Sequence, residues 1–488
     1  MDLGSHWLVW PVMLPLLAAT AAFVSPRIAV PIGLVAALLT TLSVAGLARA
    51  LLVGGAQRYT LAGWPAPLGI ALYADGLSVV MLLMVAVVGA ITSAYAAAYF
   101  RKGEAASSSG HASAYFWPLW LFLWAALNAI MLSGDLFNLY VGLELLGLSA
   151  VALIGLALEG RALIAGMRYL LVSLLGSLAY LLGVALLYGA FGTLDLAQLG
   201  AVIEPGPATW LAIALIVTGL ALKTALFPLH FWLPPAHASA PAPVSALLSG
   251  LVVKASFYLL LRLWFAMFPV APPAAHVLGG MGALGILWGS LLALRQRRLK
   301  LIIAYSTVAQ VGYLFLLFPL AGDAGWGSDA WNGGVYQAFS HACAKAAMFL
   351  AAGALAAKLG ADDLAELDGA LWHAPLAVTA FALGGVSLMG LPPSGGFTAK
   401  WLLLMAAFET GQWWLAAVIL IGSLLAAAYV FHVLQCTLAA PERESPARPA
   451  TRSLDLSAFV LALIAIGLGF VSAPLLALLQ IGGPGVSG

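Results

Sequence analysis

Long apolar runs, separated by short polar interruptions, fill this chain from end to end. A helix that crosses a membrane needs about 20 mostly apolar residues. Runs of that kind fall at 6–24, 28–53, 70–100, 112–132, 135–157, 163–191, 207–233, 240–270, 274–295, 301–320, 331–357, 372–408, 412–440 and 454–480. The pattern predicts an all-α polytopic membrane protein with about fourteen transmembrane helices. Met1 to Phe23 is apolar without a basic leading region or a small-residue cleavage signal, so it reads as a first span rather than a signal peptide.

Two runs carry interruptions. In the seventh, Pro228 follows Lys223 by five residues, removing one backbone donor and displacing the carbonyl of Thr224. In the twelfth, Pro392 and Pro393 precede Lys400. Irregular backbone at membrane depth is tolerated where it is buried in protein or lines a polar cavity. Interrupted spans at corresponding places in two halves point to an inverted-repeat transporter. The two stand five spans apart, and an odd repeat length inverts the second copy. The expected organisation is therefore helices 1–3 in 1–110, a five-helix repeat (helices 4–8) in 111–270, a second (helices 9–13) in 271–440, and a last helix in 441–488.

Charge supports the count. With the N-terminus outside, inner loops receive Arg27, Arg101, Lys102, Arg161, Arg168, Arg295, Arg297, Arg298, Lys300, Lys358, Arg443, Arg448 and Arg452, and outer loops only Arg49 and Arg58. The outer loops instead hold Asp195, Glu204, Asp323 and Asp329. A bias of thirteen against two follows the positive-inside rule, and a miscounted span would scramble it. Both termini are then expected on the non-cytoplasmic side of the cell membrane. Only 8% of residues are charged, against about 25% in a soluble domain, and mean hydropathy is +1.05. A net charge of +2 implies no nucleic-acid partner. Cys343 and Cys436 sit in apolar runs and suggest neither a metal site nor a disulfide framework. No Rossmann glycine fingerprint, P-loop, Cys-x-x-Cys or dense histidine set is present, so no cofactor is implied.

Ionisable groups inside spans are few: Glu144, Lys223, Lys254, Arg262, His341, Lys345 and Lys400, with Asp135, His230 and His237 near span ends. A charge at the centre of a lipid-facing helix costs about 2.5–3.5 kcal/mol or more, so four such lysines imply a use or a partner. Snorkelling suits Arg262, about two turns from a span end. It fits Lys254 poorly, since that residue lies roughly 21 Å along its span, and Lys345 is comparably deep. Glu144 is the one acidic residue expected at mid-depth, roughly 13 Å along the fifth span. It reads either as a structural ion pair with a buried lysine or as a modulator that holds the Lys223 proton by charge. Its carboxylate is expected within about 6 Å of Lys223, with Lys254, His341, Lys345 and Lys400 continuing a row. His341 and Lys345 are four apart and share a helix face. They read as a relay, or the histidine as a helix-packing hydrogen bonder. His230 and His237 flank Pro234 and Pro235, where structural capping and proton uptake stand open; Asp135 joins them in that class.

These residues also carry a resemblance. The stretch Ser133 to Ser149, opening Ser133, Gly134, Asp135, Leu136, Phe137, Asn138, resembles the fifth helix of the antiporter-like subunits shared by respiratory complex I and Mrp-type cation/proton antiporters. Lys223 to Tyr258, with Pro228, His230, Trp232, Leu233, Pro234, His237 and Lys254, is similar to the family's central signature. Ser340 to Lys345 and Gly390 to Lys400 are similar to its later helices. Within the family, the compact length and the wording after Ser133 resemble the D-type subunit of the Mrp antiporter. The resemblance implies fourteen helices and a pair Glu144–Lys223 on helices five and seven. It also implies a bridging Lys254, a link through His341 and Lys345, and a terminal Lys400. It implies a proton-translocating subunit of a multisubunit sodium/proton antiporter, working with other membrane subunits. The alternative is the proton-pumping subunit of a complex I-like oxidoreductase, membrane hydrogenase or related ion-coupled complex. A lysine relay gives a proton path but no driving reaction, so this chain is expected not to be an enzyme in itself.

Overall fold

The computed structural model describes residues 5–102, 111–267, 273–322, 328–360, 362–439 and 452–482. Arg443, Arg448 and Asp323 lie outside them, as do the residues around the expected boundaries near 110, 270 and 440. The chain opens with α1 (Trp10–Val24) and α2 (Ala29–Gly54), then a small hairpin that the hydropathy pattern did not reveal. Its strands β1 (Gln57–Thr60) and β2 (Ala71–Ala74) pair antiparallel, with Gln57 opposite Ala74. Next come α3 (Gly76–Lys102), α4 (His111–Leu132), α5 (Leu136–Gly155), α6 (Gly160–Phe191) and the short α7 (Leu196–Val202). The seventh run is α8 (Pro207–Thr224) and α9 (Leu233–Ser239), and the eighth is α10 (Ala242–Leu247), a π-turn over Leu248–Val252 and α11 (Val253–Met267). After these stand α12 (Pro273–Leu294), α13 (Leu299–Phe315), α14 (Leu317–Ala321), α15 (Asp329–Leu359) and α16 (Ala370–His373). The chain ends with α17 (Pro375–Met389), α18 (Gly395–Glu409), α19 (Trp413–Leu438), α20 (Arg452–Gly467) and α21 (Ser472–Leu479).

Among the described residues eleven helices are long and apolar enough to cross a membrane, or twelve if α20 and α21, bent by 74°, form one span. The chain is a polytopic all-α membrane protein. Fourteen crossings would require α1 and the broken α17–α18 pair to be added as spans; the expected number and the repeats remain readings of the sequence. The run 454–480 bends where Gly467, Gly469 and Ser472 interrupt the apolar pattern.

Both expected discontinuities are present, with their edges shifted. α8 stops at Thr224, ahead of Pro228, because Ala225 adopts a left-handed conformation (φ 59°). Pro234 and Pro235 do not break a helix. They occupy the first turn of α9, where the missing N–H would have no helical partner anyway. α17 ends at Met389, capped by Gly390 (φ 78°), and α18 restarts behind Ser394, whose hydroxyl accepts the Phe397 N–H at 3.2 Å.

The most deeply enclosed elements are the Ala242–Trp264 stretch, α13 with α14, and α15, buried almost throughout, while α2, α6 and α19 turn Leu38, Leu171 and Leu424 outward. Small residues let the interior helices approach closely, as packing without a hydrophobic driving force requires. A Cβ on Gly219 would lie 2.3 Å from the Gly176 carbonyl oxygen, so α8 meets α6 backbone to backbone one turn before Lys223.

Candidate functional site: a row of buried lysines

The close α6–α8 approach fixes the first cation. Lys223, 7% exposed, donates to Ser173 Oγ on α6 at 2.8 Å and faces Glu144 Oε1 on α5 at 3.8 Å. The carboxylate is half-buried and the lysine buried, so they attract strongly although no direct hydrogen bond joins them. The break after Thr224 is closed locally: Trp232 Nε1 donates to the Leu222 carbonyl at 3.0 Å.

The π-turn positions the second. One extra residue per turn displaces the helical ladder, and the Ser249 carbonyl there accepts a hydrogen bond from Lys254 Nζ. Ser249 Oγ meets Thr307 Oγ1 of α13 at 2.9 Å. Beside Thr307, Ser306 Oγ and the Ile303 carbonyl (3.0 Å) take the ammonium of Lys345 from α15. One turn further along α13, Gln310 accepts from Gln337 of α15 at 2.9 Å and donates to the Leu388 carbonyl at 3.1 Å. Lys400 Nζ donates to that same carbonyl at 2.7 Å. Hydroxyls of α13 therefore join the Lys254 and Lys345 groups, and Gln310 one turn on ties α13 to the Lys400 group, so all three stand along α13 in an otherwise apolar interior. No hydrogen bond joins the Lys223 group to the Lys254 group among the described residues.

His341 stands inside this line, buried, with both ring nitrogens lacking a hydrogen-bond partner and with the charges of Lys254, Lys345 and Lys400 acting on it. His237 stacks on Phe349 at 4.9 Å, and His230 on Phe227 at 5.6 Å; each leaves Nδ1 unpartnered. Asp135 is an N-cap: its Oδ1 accepts the Asn138 N–H at 2.8 Å. Pro228, Pro392 and Pro393 are exposed in the two breaks. A cavity of about 720 Å³ beside the first break, lined by Trp210, Val217, Pro228, Val277 and Met281, is almost wholly apolar and suits hydrocarbon rather than a polar path.

Two acidic groups escaped the sequence reading. Asp75, fully buried ahead of α3, binds Arg262 through two 2.5 Å hydrogen bonds, and Arg262 Nε donates to Tyr258 OH at 2.7 Å. Arg262 therefore does not snorkel: a bidentate carboxylate holds it inside. Asp455, also buried, pairs with Lys358 between α20 and α15. Glu144 is thus not alone among acidic groups in the interior. Both pairings join residues more than ninety positions apart, so no spacing rule could expose them. The hydroxyl and amide stations were legible only as Ser306, Thr307 and Gln310 within one apolar run.

Fold and site together define an integral membrane protein with interrupted spans beside buried, oxygen-caged lysines. The chain belongs to the family described as NADH:quinone oxidoreductase/Mrp antiporter, transmembrane, which matches residues 133–426 and so takes in every site residue from Asp135 to Lys400. It is 37% identical to the N subunit of NADH-quinone oxidoreductase from Desulforudis audaxviator over 96% of this chain and 95% of that one. It is 33% identical to the D subunit of the Na(+)/H(+) antiporter from Alkalihalophilus pseudofirmus, over 75% and 72%. A chain in the Mrp complex from Dietzia sp. superposes with a TM-score of 0.87 at 26% identity, covering 98% and 96%. The family read from the motifs is borne out.

Proposed function

We propose that this chain carries protons across the membrane as one subunit of a multisubunit monovalent cation/proton antiporter, along Glu144, Lys223, Lys254, His341, Lys345 and Lys400. One observation carries the reading: three of the four buried lysines have hydroxyl and carbonyl oxygens, and no carboxylate among the described residues, as hydrogen-bond partners, and all three stand along α13. A lysine can pass its proton on, which an arginine in the same place cannot. A histidine with two free ring nitrogens can accept from one side and donate to the other. Glu144 stands at one end, where its charge holds a proton on Lys223 until the contact lengthens. The exposed apolar faces of α2, α6 and α19 suit lipid and partner subunits, and the bias of basic residues favours both termini outside. The two breaks support helices 4–8 and 9–13 as inverted repeats.

The test compares Lys223→Ala with Lys223→Arg in the assembled complex, reading pH-gradient dissipation in membrane vesicles, with insertion checked by immunoblot. Loss of transport in both variants is expected. Near-normal transport with arginine would reduce Lys223 to a structural ion pair. A second reading, the proton-pumping subunit of a complex I-like oxidoreductase, is favoured by the 37% identity along nearly the whole of an oxidoreductase N subunit. Co-purification separates the two: small multi-span partners support the antiporter, peripheral iron–sulfur subunits the oxidoreductase.

A further inference from the structure

We propose that the oxygens around Lys400 form a binding site for a monovalent cation, sodium or potassium, which the lysine ammonium fills in this structure and a metal ion takes when the lysine gives up its proton. The inference rests on the antiporter reading and deepens it.

The cage is built by the second break. α17 ends at Met389, and Gly390 turns the chain with a positive φ, so the last carbonyls of that helix have no further turn to bond. Lys400 Nζ lies 2.7 Å from the Leu388 carbonyl oxygen, 3.4 Å from that of Met389 and 3.1 Å from Ser423 Oγ of α19. The Tyr313 ring of α13 covers the remaining side, its centroid 4.2 Å from the ammonium. Each of these groups turns negative potential toward the same point, and the C-terminal end of α17 adds its dipole. Among the described residues no carboxylate lies within 4.0 Å of Lys400, whereas Lys223 has Glu144 at 3.8 Å. The stem of Lys400 passes where a side chain at residue 390 would stand: a Cβ there would lie 2.7 Å from Lys400 Cδ.

An ammonium and an alkali-metal ion have the same charge, and both are satisfied by carbonyl and hydroxyl oxygens that replace water. Unwound carbonyls and half-helix C-terminal ends are the groups that coordinate sodium in broken-helix transporters. Lys254 and Lys345 lack this combination, since their carbonyls come from a π-turn and from within α13. The exposed Leu391, Pro392 and Pro393 follow directly, so the cage lies one short loop from the protein surface. Two positive charges cannot share it. The step is therefore an exchange: the Lys400 N–H bond breaks, the proton leaves, and one cation enters against the carbonyls, the hydroxyl and the freed amine lone pair. Charge in the cage is unchanged.

Binding must then rise with pH. The other titratable groups facing Lys400 are His341 on α15 and Tyr313 on α13. α19 adds Tyr429, buried, His432, exposed, and Cys436, half-buried; α17 and α14 carry none. On α20, Asp455 is paired with Lys358 and Arg452 is exposed.

The experiment measures binding of radiolabelled sodium and, separately, radiolabelled rubidium to the purified full-length chain in detergent, at low and high pH. For the wild type, saturable binding should tighten by up to about tenfold per pH unit, the limit for one exchanged proton. Lys400→Ala should bind at every pH, and Lys400→Arg, permanently charged, at none. Adding Ser423→Ala to Lys400→Ala should weaken binding at least about tenfold. A folded Lys400→Ala without saturable binding of either ion overturns the proposal, as does Lys400→Arg binding like the wild type. If Lys400→Ala does not fold, Ser423→Ala alone decides at high pH, and unchanged binding refutes the site. A failed site leaves the Lys223 transport result untouched, so the two readings stand or fall separately.

Discussion

Removing one partner of the Asp75–Arg262 pair should be among the most damaging single changes to the stability of this chain. Arg262 is 8% exposed and Asp75 not at all, and the carboxylate also accepts the Ser78 N–H at 2.9 Å. Asp75→Asn leaves a guanidinium enclosed without its countercharge, and breaking a buried pair in that way costs about 3–5 kcal/mol. At ~1.4 kcal/mol per decade that is at least a hundredfold in the unfolding equilibrium. An arginine that snorkelled would lose only what a surface pair is worth, about 0–1 kcal/mol. The double change Asp75→Leu with Arg262→Met removes both charges and should recover most of the loss, because desolvation nearly cancels attraction inside a protein. The assay is the denaturation midpoint of the purified chain in detergent, followed by tryptophan fluorescence. An Asp75→Asn chain within about 1 kcal/mol of wild type, or a double variant worse than both singles, would refute the reasoning.

The close contact of α6 with α8 predicts that Gly219→Leu forces the helices apart and displaces Lys223 from Ser173. Proton transport by the assembled complex should fall at least about tenfold with insertion intact, while Gly155→Leu, which meets open space, should be silent on immunoblot and in vesicles alike. Purified alone in liposomes, the chain should show no coupled sodium/proton exchange by a pH-sensitive dye, since the proposed proton path is expected to work only with partner subunits; robust exchange would remove the need for partners.

The sequence disclosed most where a single residue type decides the outcome. Apolar length marked where the long helices run, because lipid requires every backbone group to be satisfied inside its own helix. Proline marked both breaks, but their edges were set by Ala225 and Gly390, whose left-handed conformations no hydropathy pattern encodes. Buried lysines announced themselves by their cost, so Lys223, Lys254, Lys345 and Lys400 were all visible. Their partners were not. Ser173 and Ser306 come from other helices, where long-range pairing leaves no local trace, and the Ser249 and Leu388 carbonyls are backbone groups freed by a π-turn and a helix end. Arg262 shows the same limit: depth alone suggested snorkelling, and only the fold brought Asp75 across 187 positions.

The two breaks look alike in sequence and differ in electrostatics. At the first, the lysine belongs to the helix that ends, and the neighbouring anion is a side chain, Glu144 on α5. At the second, the lysine belongs to the helix that begins, and the negative potential comes from the backbone of the helix that ends. A carboxylate can be neutralised by a proton, so the Lys223 end can change its charge. A carbonyl cage cannot, so on the cation-exchange proposal the Lys400 end keeps one positive charge and exchanges its carrier. If both halves descend from one repeat, the difference arises from which side of the break holds the lysine. Moving an acid to the second site tests this directly: Ser423→Asp should trap the ammonium of Lys400 and slow proton release, whereas an end that merely relays protons would tolerate the added carboxylate.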